Sequence, residues 1–430
     1  MQSYLYKVQL NREEFNRVKQ QIEEESHLND VCLILDNNFV ANACGIRHLE
    51  WAAARGVRHH LTFEPNMAFD ALRAFTDAHA GEYIFGFLAY DLKNETEALV
   101  SEHPDGIGFE TMAFFVPERL IVIDPDLNVV VGEAELKELL SREVSAPVEV
   151  STGAITMQQR VSREAYLQQV QRIKAHIVEG DVYELNYCVE FYNENTEADP
   201  LTLYRRLKDF SPTPFGAFLK WINRYLICAS PERFMTALNG RYFSQPIKGT
   251  IRRDEDEATD QRLKDELQQS EKERAENLMI VDLVRNDLAR SSQTGSVDVD
   301  ELFGIYTFRN LHQMISTVSS VPDPKVHRVD AIRHAFPMGS MTGAPKIKAM
   351  ELIEQYEQTR RGMYSGTVGY FAPDGSFDFN VVIRSMQYNA TSNYLCFEVG
   401  SAITYDSDAA QEYDECMLKA RAIMSVLHGG

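Results

Sequence analysis

The segment EKERAENLMIVDLVRNDLAR (271–290) limits the possible folds more than any other. Its centre, Leu278 to Val284, is apolar nearly all round, and a helix of that kind is normally buried. It therefore needs a large core around it. The chain has 430 residues, 44% hydrophobic and 25% charged, enough for two to three domains or one large intertwined one. Yet Glu276, Asn277, Asp282, Arg285, Asn286 and Asp287 interrupt or flank the apolar stretch. Buried charges need partners or a metal. The segment reads either as a salt-bridged structural helix or as the wall of a site.

A second helix is expected over 408–427, DAAQEYDECMLKARAIMSVL. Glu412 and Glu415 lie at i and i+3, with Lys419 at i+4 from Glu415, so all three share one face. Tyr413, Met417, Ala420 and Met424 form the opposite apolar stripe. The charged face is either solvated or, facing Glu276, suited to Mg²⁺, which takes a few carboxylates and completes its shell with water and substrate oxygens.

Two further segments carry chemistry or nothing. In QPIKGT (245–250) Lys248 stands between an apolar residue and a glycine, after a proline. It is a snorkelling surface lysine or, if desolvated beside other cations, a nucleophilic amine. PMGSMTGAPK (337–346) precedes a helical stretch, with Thr342 a possible cap and Pro345 suited to the first turn. It is a capped turn or an anion-binding helix start; it does not fit the Walker A pattern. Glu232, His312, Arg384 and Gly400 sit in apolar strand contexts, where a single polar group is more often a satisfied core residue than a ligand contact.

The remaining pattern predicts a mixed α+β fold without a strict βαβ rhythm. Strands are expected at 31–35, 83–90, 119–123, 129–131, 182–192, 225–229, 233–237, 315–321, 366–371, 379–387 and 394–399. Helices are expected at 68–78 and 133–144, and after Ser162, where Tyr166, Val170, Ile173 and Ile177 make one apolar face ended by Gly180. A linker is expected over 143–160, dividing a region 1–150 from one over 155–428. The formal net charge of -21 disfavours nucleic acid and anionic lipid. No apolar run approaches membrane-spanning length. The N-terminus lacks a signal-peptide pattern. The six cysteines form no CxxC pair. A reducing cytoplasm is the expected compartment.

Taken together, the chain resembles the chorismate-utilising family that includes anthranilate synthase, aminodeoxychorismate synthase, isochorismate synthase and salicylate synthase. The resemblance rests on SPERF (230–234), PIKGT (246–250), ERAENLMIVDLVRNDLAR (273–290), GSMTGAPK (339–346), YSGTVGY (364–370), VVIRSMQ (381–387), GSAIT (400–404) and QEYDECMLKA (411–420), in the family's order. It implies two facing antiparallel β-sheets flanked by helices, with the N- and C-terminal parts intertwined. It also implies that Glu276 and Glu415 carry Mg²⁺, with Glu412 close by, and that the ion grips the ring carboxylate of chorismate. Arg384, with Tyr370 and the backbone of Gly400 and Ser401, would hold the enolpyruvyl carboxylate. Lys419 would add positive charge. Glu232 would be the general acid for the leaving C4 hydroxyl, with Thr250 and His312 lining that side.

Within the family, a lysine in PIKGT is the nucleophile of the branch that makes 4-amino-4-deoxychorismate for p-aminobenzoate and folate. The anthranilate branch has a small residue there. The resemblance therefore implies that Lys248 adds at C2 while the C4 hydroxyl leaves, and that ammonia then adds at C4. The alternatives are anthranilate synthase component I and a catalytically inactive chorismate-binding subunit. Glu184, in YELN, departs from the lysine of the water-using members and from the glutamine of the amino-transferring ones; it is structural or binds ammonium. No cysteine sits in a GxCxG-like elbow, so a separate glutamine amidotransferase is the expected ammonia source, and no fused lyase is expected. The LLES-like stretch through which relatives bind tryptophan is not found; DNNFVANACGIRHLEWAA (36–53) stands in the early region, and no feedback inhibition is expected.

Overall fold

Two antiparallel sheets lie face to face in the computed structural model, which describes residues 8–41, 43–142 and 153–429. The strands alternate between two apolar environments, and this period-2 pattern builds the layers. In Val31–Asp36, Val31 and Leu33 point between the sheets while Cys32 and Ile34 point outward. In Met112–Val116, Ala113 and Phe115 point between the sheets and Met112, Phe114 and Val116 outward. Three apolar layers result: one between the sheets, and one outside each sheet under helices. The outer layer of the first sheet is covered by helices including Arg163–Glu179, Pro200–Phe210, Lys346–Tyr356 and Ala409–Leu427. Ala68–Ala78, Glu271–Ala289 and Arg328–Ala335 cover the second. The fold is α+β, two facing sheets flanked by helices.

Both sheets draw strands from either side of residues 143–152. The first sheet runs from Gly343–Ala344 through Glu184–Asn193, Tyr394–Ile403, Ser385–Asn389, Arg224–Ser230 and Phe215–Trp221 to Val31–Asp36, Trp51–Arg55, Arg119–Ile123 and Val129–Val131. The second runs from Ile247–Arg252 through Leu311–Ser320, Arg241–Gln245, Arg233–Leu238, Phe377–Asn380 and Thr367–Phe371 to Ile84–Leu88, Met112–Val116 and His59–His60. The expected linker lies outside the described residues up to position 152, as do the last two positions of the helix expected over 133–144, which forms over Glu133–Ser141. Among the described residues no helix is long and apolar enough to cross a membrane.

Several local expectations need correction. The strand expected over 379–387 is two strands in different sheets: Phe377–Asn380 belongs to the second, Ser385–Asn389 to the first, and residues 381–384 carry the chain across. Arg384 takes φ +50 at that step, a left-handed conformation that no regular strand tolerates. The Glu271–Ala289 helix is not buried all round. Ile280, Val281, Val284 and Leu288 face the core, but Leu278 is 45% exposed. Thr342 does not cap the Lys346–Tyr356 helix; its hydroxyl donates back to the Met338 carbonyl at 3.0 Å, and Pro345 occupies the cap position. Ser162 does cap the Arg163–Glu179 helix, accepting from the Ala165 N–H at 3.2 Å, and Gly180 ends it at φ +87.

Gly343 pairs with Leu185 at the edge of the first sheet, and a Cβ there would lie 2.1 Å from the Glu184 carbonyl oxygen. Gly343→Ala should therefore push the Gly343–Ala344 strand off its partner. The expected cost is about 1–3 kcal/mol, read as a lower urea midpoint with an unchanged slope.

Candidate active site

The chain passes between the sheets at two places, and these lie side by side. Arg224–Ser230 ends in the first sheet and Arg233–Leu238 begins in the second, so Pro231 and Glu232 form one crossing. Residues 381–384 form the other. The two are tied by the Val381 N–H donating to the Glu232 carbonyl at 3.0 Å and the Ala229 N–H donating to the Arg384 carbonyl at 3.2 Å. This brings the carboxyl of Glu232 and the guanidinium of Arg384 into one field. Burial pushes Glu232 up to about 7, although the Ser340 hydroxyl, Lys248 and Arg384 favour its ionised form. Ser340, in the GSMTG turn, donates to its Oε1 at 2.6 Å. Burial brings Arg384 down to about 10 against the pull of Glu232.

Lys248 lies at the edge of the second sheet and Glu184 at the start of a strand beside the edge of the first. A register shift between Ile247 and Thr250 breaks the pairing with Leu311–Ser320, and Gly249 takes φ +95 within it. Such a bulge re-aims a side chain. Here it accompanies an ion pair between the sheets, Lys248 Nζ to Glu184 Oε1 at 2.7 Å. Glu184 is 1% exposed, and its Oε2 has no hydrogen-bond partner. Burial alone would lower Lys248, but Glu184, Glu276 and Glu232 outweigh it and raise the amine above the ordinary lysine range. Asn277 holds the strand to the helix above it, donating to the Lys248 carbonyl at 3.4 Å while accepting from the Ser316 hydroxyl at 2.6 Å.

The acidic residues of two helices complete this end. Glu276 is pushed up to about 7 by burial and by the like charges of Glu273 and Glu184. Burial also raises Glu273, with Glu415 adding to the effect. Glu412 accepts from the Ser407 hydroxyl at 2.9 Å. Lys272 Nζ stands 3.8 Å from Glu276 and 3.6 Å from Glu412, an ammonium between carboxylates of both helices. Glu415 pairs with Lys419 at 2.7 Å, and despite its burial Lys419, Lys272 and Lys248 hold it below the usual carboxylate range. Mutually repelling carboxylates already bridged by one cation are a donor set that fits Mg²⁺. Glu273 and Lys272 escaped the sequence reading. The i, i+3 repeat of Glu273 and Glu276, matching that of Glu412 and Glu415, was the available signal.

Other expected residues fall as follows. Lys419 donates to the Gly400 carbonyl at 2.9 Å, and Ser401 shares a 3.0 Å hydrogen bond with the Tyr166 hydroxyl. Gly400 packs on Cys188, whose sulfur would lie 2.5 Å from an added Cβ. Tyr364 joins them, its hydroxyl 4.0 Å from the same sulfur; it lies in the YSGTVGY string but was not singled out. Tyr370 is placed elsewhere. It alternates inward with Val368 against Phe85, Tyr83 and His48, and lines a separate cavity with Asp36, Asn37 and Asp378. His312 is fully buried with both ring nitrogens engaged, by Asp260 at 2.8 Å and Thr307 at 3.0 Å. Thr250 is exposed beyond the bulge. The structure thus gathers Glu232, Lys248, Arg384, Glu276, Glu412, Glu415 and Lys419 at one end. His312 ties the Glu257–Gln269 helix to its sheet, and Tyr370 belongs to the layer between the sheets.

Three comparisons place this geometry among known proteins. The family described as chorismate binding enzyme matches residues 43–425. The chain is 35% identical over 369 residues to the chloroplastic aminodeoxychorismate synthase of Arabidopsis thaliana, covering 80% of this chain but 40% of that protein. It is 34% identical over 358 residues to anthranilate synthase component 1 of Thermus thermophilus, covering 80% and 77%. Among solved structures, anthranilate synthase component I from Streptococcus pneumoniae superposes with a TM-score of 0.77 at 27% identity, covering 87% of this chain and 91% of that one. A match over most of the chain, carried by the strings that build the site, makes this protein a member of the chorismate-binding enzyme family.

Proposed function

We propose that this chain aminates chorismate with ammonia to give 4-amino-4-deoxychorismate through a covalent intermediate on Lys248. The observation that carries the reading is the pairing of two groups in one buried site: an amine at Lys248 and, in its field, a carboxylic acid at Glu232 that keeps its proton near neutral pH. Chorismate is a dianion. Arg384, with the backbone at Gly400 and Ser401, receives the enolpyruvyl carboxylate, and Lys419 adds positive charge beside it. Glu276 and Glu415, with Glu412 and Glu273, would hold Mg²⁺, which supplies electrostatic stabilisation of the ring carboxylate.

The reacting form of Lys248 is the free amine, its proton lost to solvent. Its lone pair bonds to C2, the ring double bonds shift, and the C4 hydroxyl departs as water with the proton of Glu232. A poor leaving group needs such a donor, and a raised pKa provides it at neutral pH. Ammonia then bonds to C4 and the lysine leaves. All six cysteine thiols are raised by burial, the opposite of an activated glutaminase thiolate. Ammonia is accordingly supplied by solution or by a separate glutamine amidotransferase. The anthranilate reading has support in the Thermus relative. It requires no amine at position 248.

Three outcomes check the proposal. With chorismate, Mg²⁺ and ammonium, product separation by mass should show an aminated chorismate that an added lyase converts to p-aminobenzoate. Lys248→Ala should abolish it while chorismate still binds; undiminished output would refute the covalent route, and anthranilate from the parent protein would refute the branch. Glu232 acts protonated, so kcat/KM should fall as pH rises through about 7, and Glu232→Gln should lower kcat by about 10²–10⁴-fold. Mg²⁺ should raise the thermal midpoint of the parent protein, and Glu276→Gln should reduce that rise, as binding to the native state requires.

A further inference from the structure

Glu184 is buried, yet only one of its oxygens is used. Oε1 accepts from the Lys248 ammonium at 2.7 Å, and Oε2 has no partner. A buried carboxylate oxygen without a donor is costly, on the order of 1–3 kcal/mol or more. The strand cannot turn away to relieve it. The Glu184 backbone is fixed against Ala344, and the close approach of Gly343 leaves no room for movement. Glu184 also raises Glu276 through its charge, so its carboxylate faces the acidic centre rather than the apolar layers. That centre holds more carboxylates than basic groups: Glu184, Glu232, Glu273, Glu276, Glu412 and Glu415 against Lys248, Lys272, Lys419 and Arg384. A small cation with N–H donors fits there, and the carboxylate already binds one such group in Lys248.

Resting on the amination reading above, we propose that Glu184 is the ammonium-binding residue of the site, its Oε2 receiving the incoming ammonium while Oε1 keeps the lysine nitrogen. One carboxylate then holds both nitrogen nucleophiles side by side. The bound ammonium gives one proton to Glu184 and becomes ammonia with a free lone pair. That pair forms the C4–N bond. The bond from C2 to the protonated lysine nitrogen breaks with its electrons returning to Lys248, which leaves as a neutral amine. Glu184 passes its proton to that amine, restoring the observed ion pair, and the product carries –NH₃⁺ at C4. Charge and protons balance without a further reactant.

The test needs no turnover. Thermal midpoints of the parent protein and Glu184→Gln are measured in ammonium chloride and in lithium chloride of equal ionic strength. The parent should gain a degree or more in ammonium over lithium, and Glu184→Gln should lose that gain. Because Glu184→Gln leaves Lys248 buried without its counter-ion, a second pair, Lys248→Met and Lys248→Met with Glu184→Gln, repeats the comparison with the ion pair removed; the gain should persist in the first and vanish in the second. A gain that survives loss of Glu184, or no gain in the parent, overturns the site. In turnover, Glu184→Gln should raise KM for ammonium about tenfold, the loss of one charge-assisted bond, with KM for chorismate unchanged. No aminated product from the parent protein would instead refute the amination reading, while the cation site would stand or fall on the midpoints.

Discussion

The buried pair of Arg361 and Glu357 is the contact on which the site's geometry depends. The guanidinium takes both oxygens of Glu357, at 2.9 and 2.6 Å, and is 2% exposed. Its remaining donors reach the Met341 carbonyl at 2.7 Å, the Ser365 hydroxyl at 3.1 Å and the Asn186 carbonyl at 2.9 Å. Glu357 also accepts from the Cys188 N–H at 2.9 Å. One ion pair thus locks the turn that carries Ser340, the strand that starts at Glu184, and the segment that carries Tyr364. Removing one partner of such a pair typically costs about 3–5 kcal/mol because the other is left buried and uncompensated. Here the loss would also free the hydroxyl that holds Glu232 and the strand that holds Glu184.

Given that anchor, the rest follows from where the sheets end. Neither sheet alone contains the site. Glu232 and Arg384 lie in the two crossings between sheets, Lys248 and Glu184 at facing edges, and the glutamates on helices that pack outside different sheets. The layer between the sheets is apolar and closed, so the polar groups collect at one end, where strands stop and backbone leaves the ladders. A relative shift of the two sheets would part Lys248 from Glu184 and Glu232 from Ser340 together.

The sequence shows its elements more clearly than their sheets. Period-2 alternation in VCLIL and RLIVI, and the Ser162 cap with Gly180 at the other end, led to the right elements because local sterics and burial decide them. The run 379–387 misled because an apolar stretch satisfies a strand and a crossing equally well; only the tertiary path turns Arg384 to φ +50. Leu278 misled in the same way, since hydrophobicity does not say which side of a helix meets a core. At the site, the resemblance located Glu232, Lys248, Glu276, Arg384 and Glu415. Tyr370 and His312 carry the right chemistry, but alternation and satisfied ring nitrogens assign them to packing. Arg361 was invisible because its partners are mostly carbonyls, which have no residue signature.

Formal charge is the quantity the sequence most overstates. A chain at -21 is an unpromising receptor for a dianion if every carboxylate is counted as ionised. The structure changes that count where it matters. Burial lifts Glu232 and Glu276 to about 7, so each is substantially protonated at neutral pH, while Lys248 is held cationic by its neighbours and Arg384 retains its charge. The same desolvation that makes Glu232 a proton donor therefore also makes the site less negative than its composition. Both effects come from one cause, the exclusion of water at the end of two closed sheets. A carboxylate moved to the rim, such as Thr250→Glu, would restore negative charge without supplying a usable acid, since at that exposed position no burial would lift its pKa.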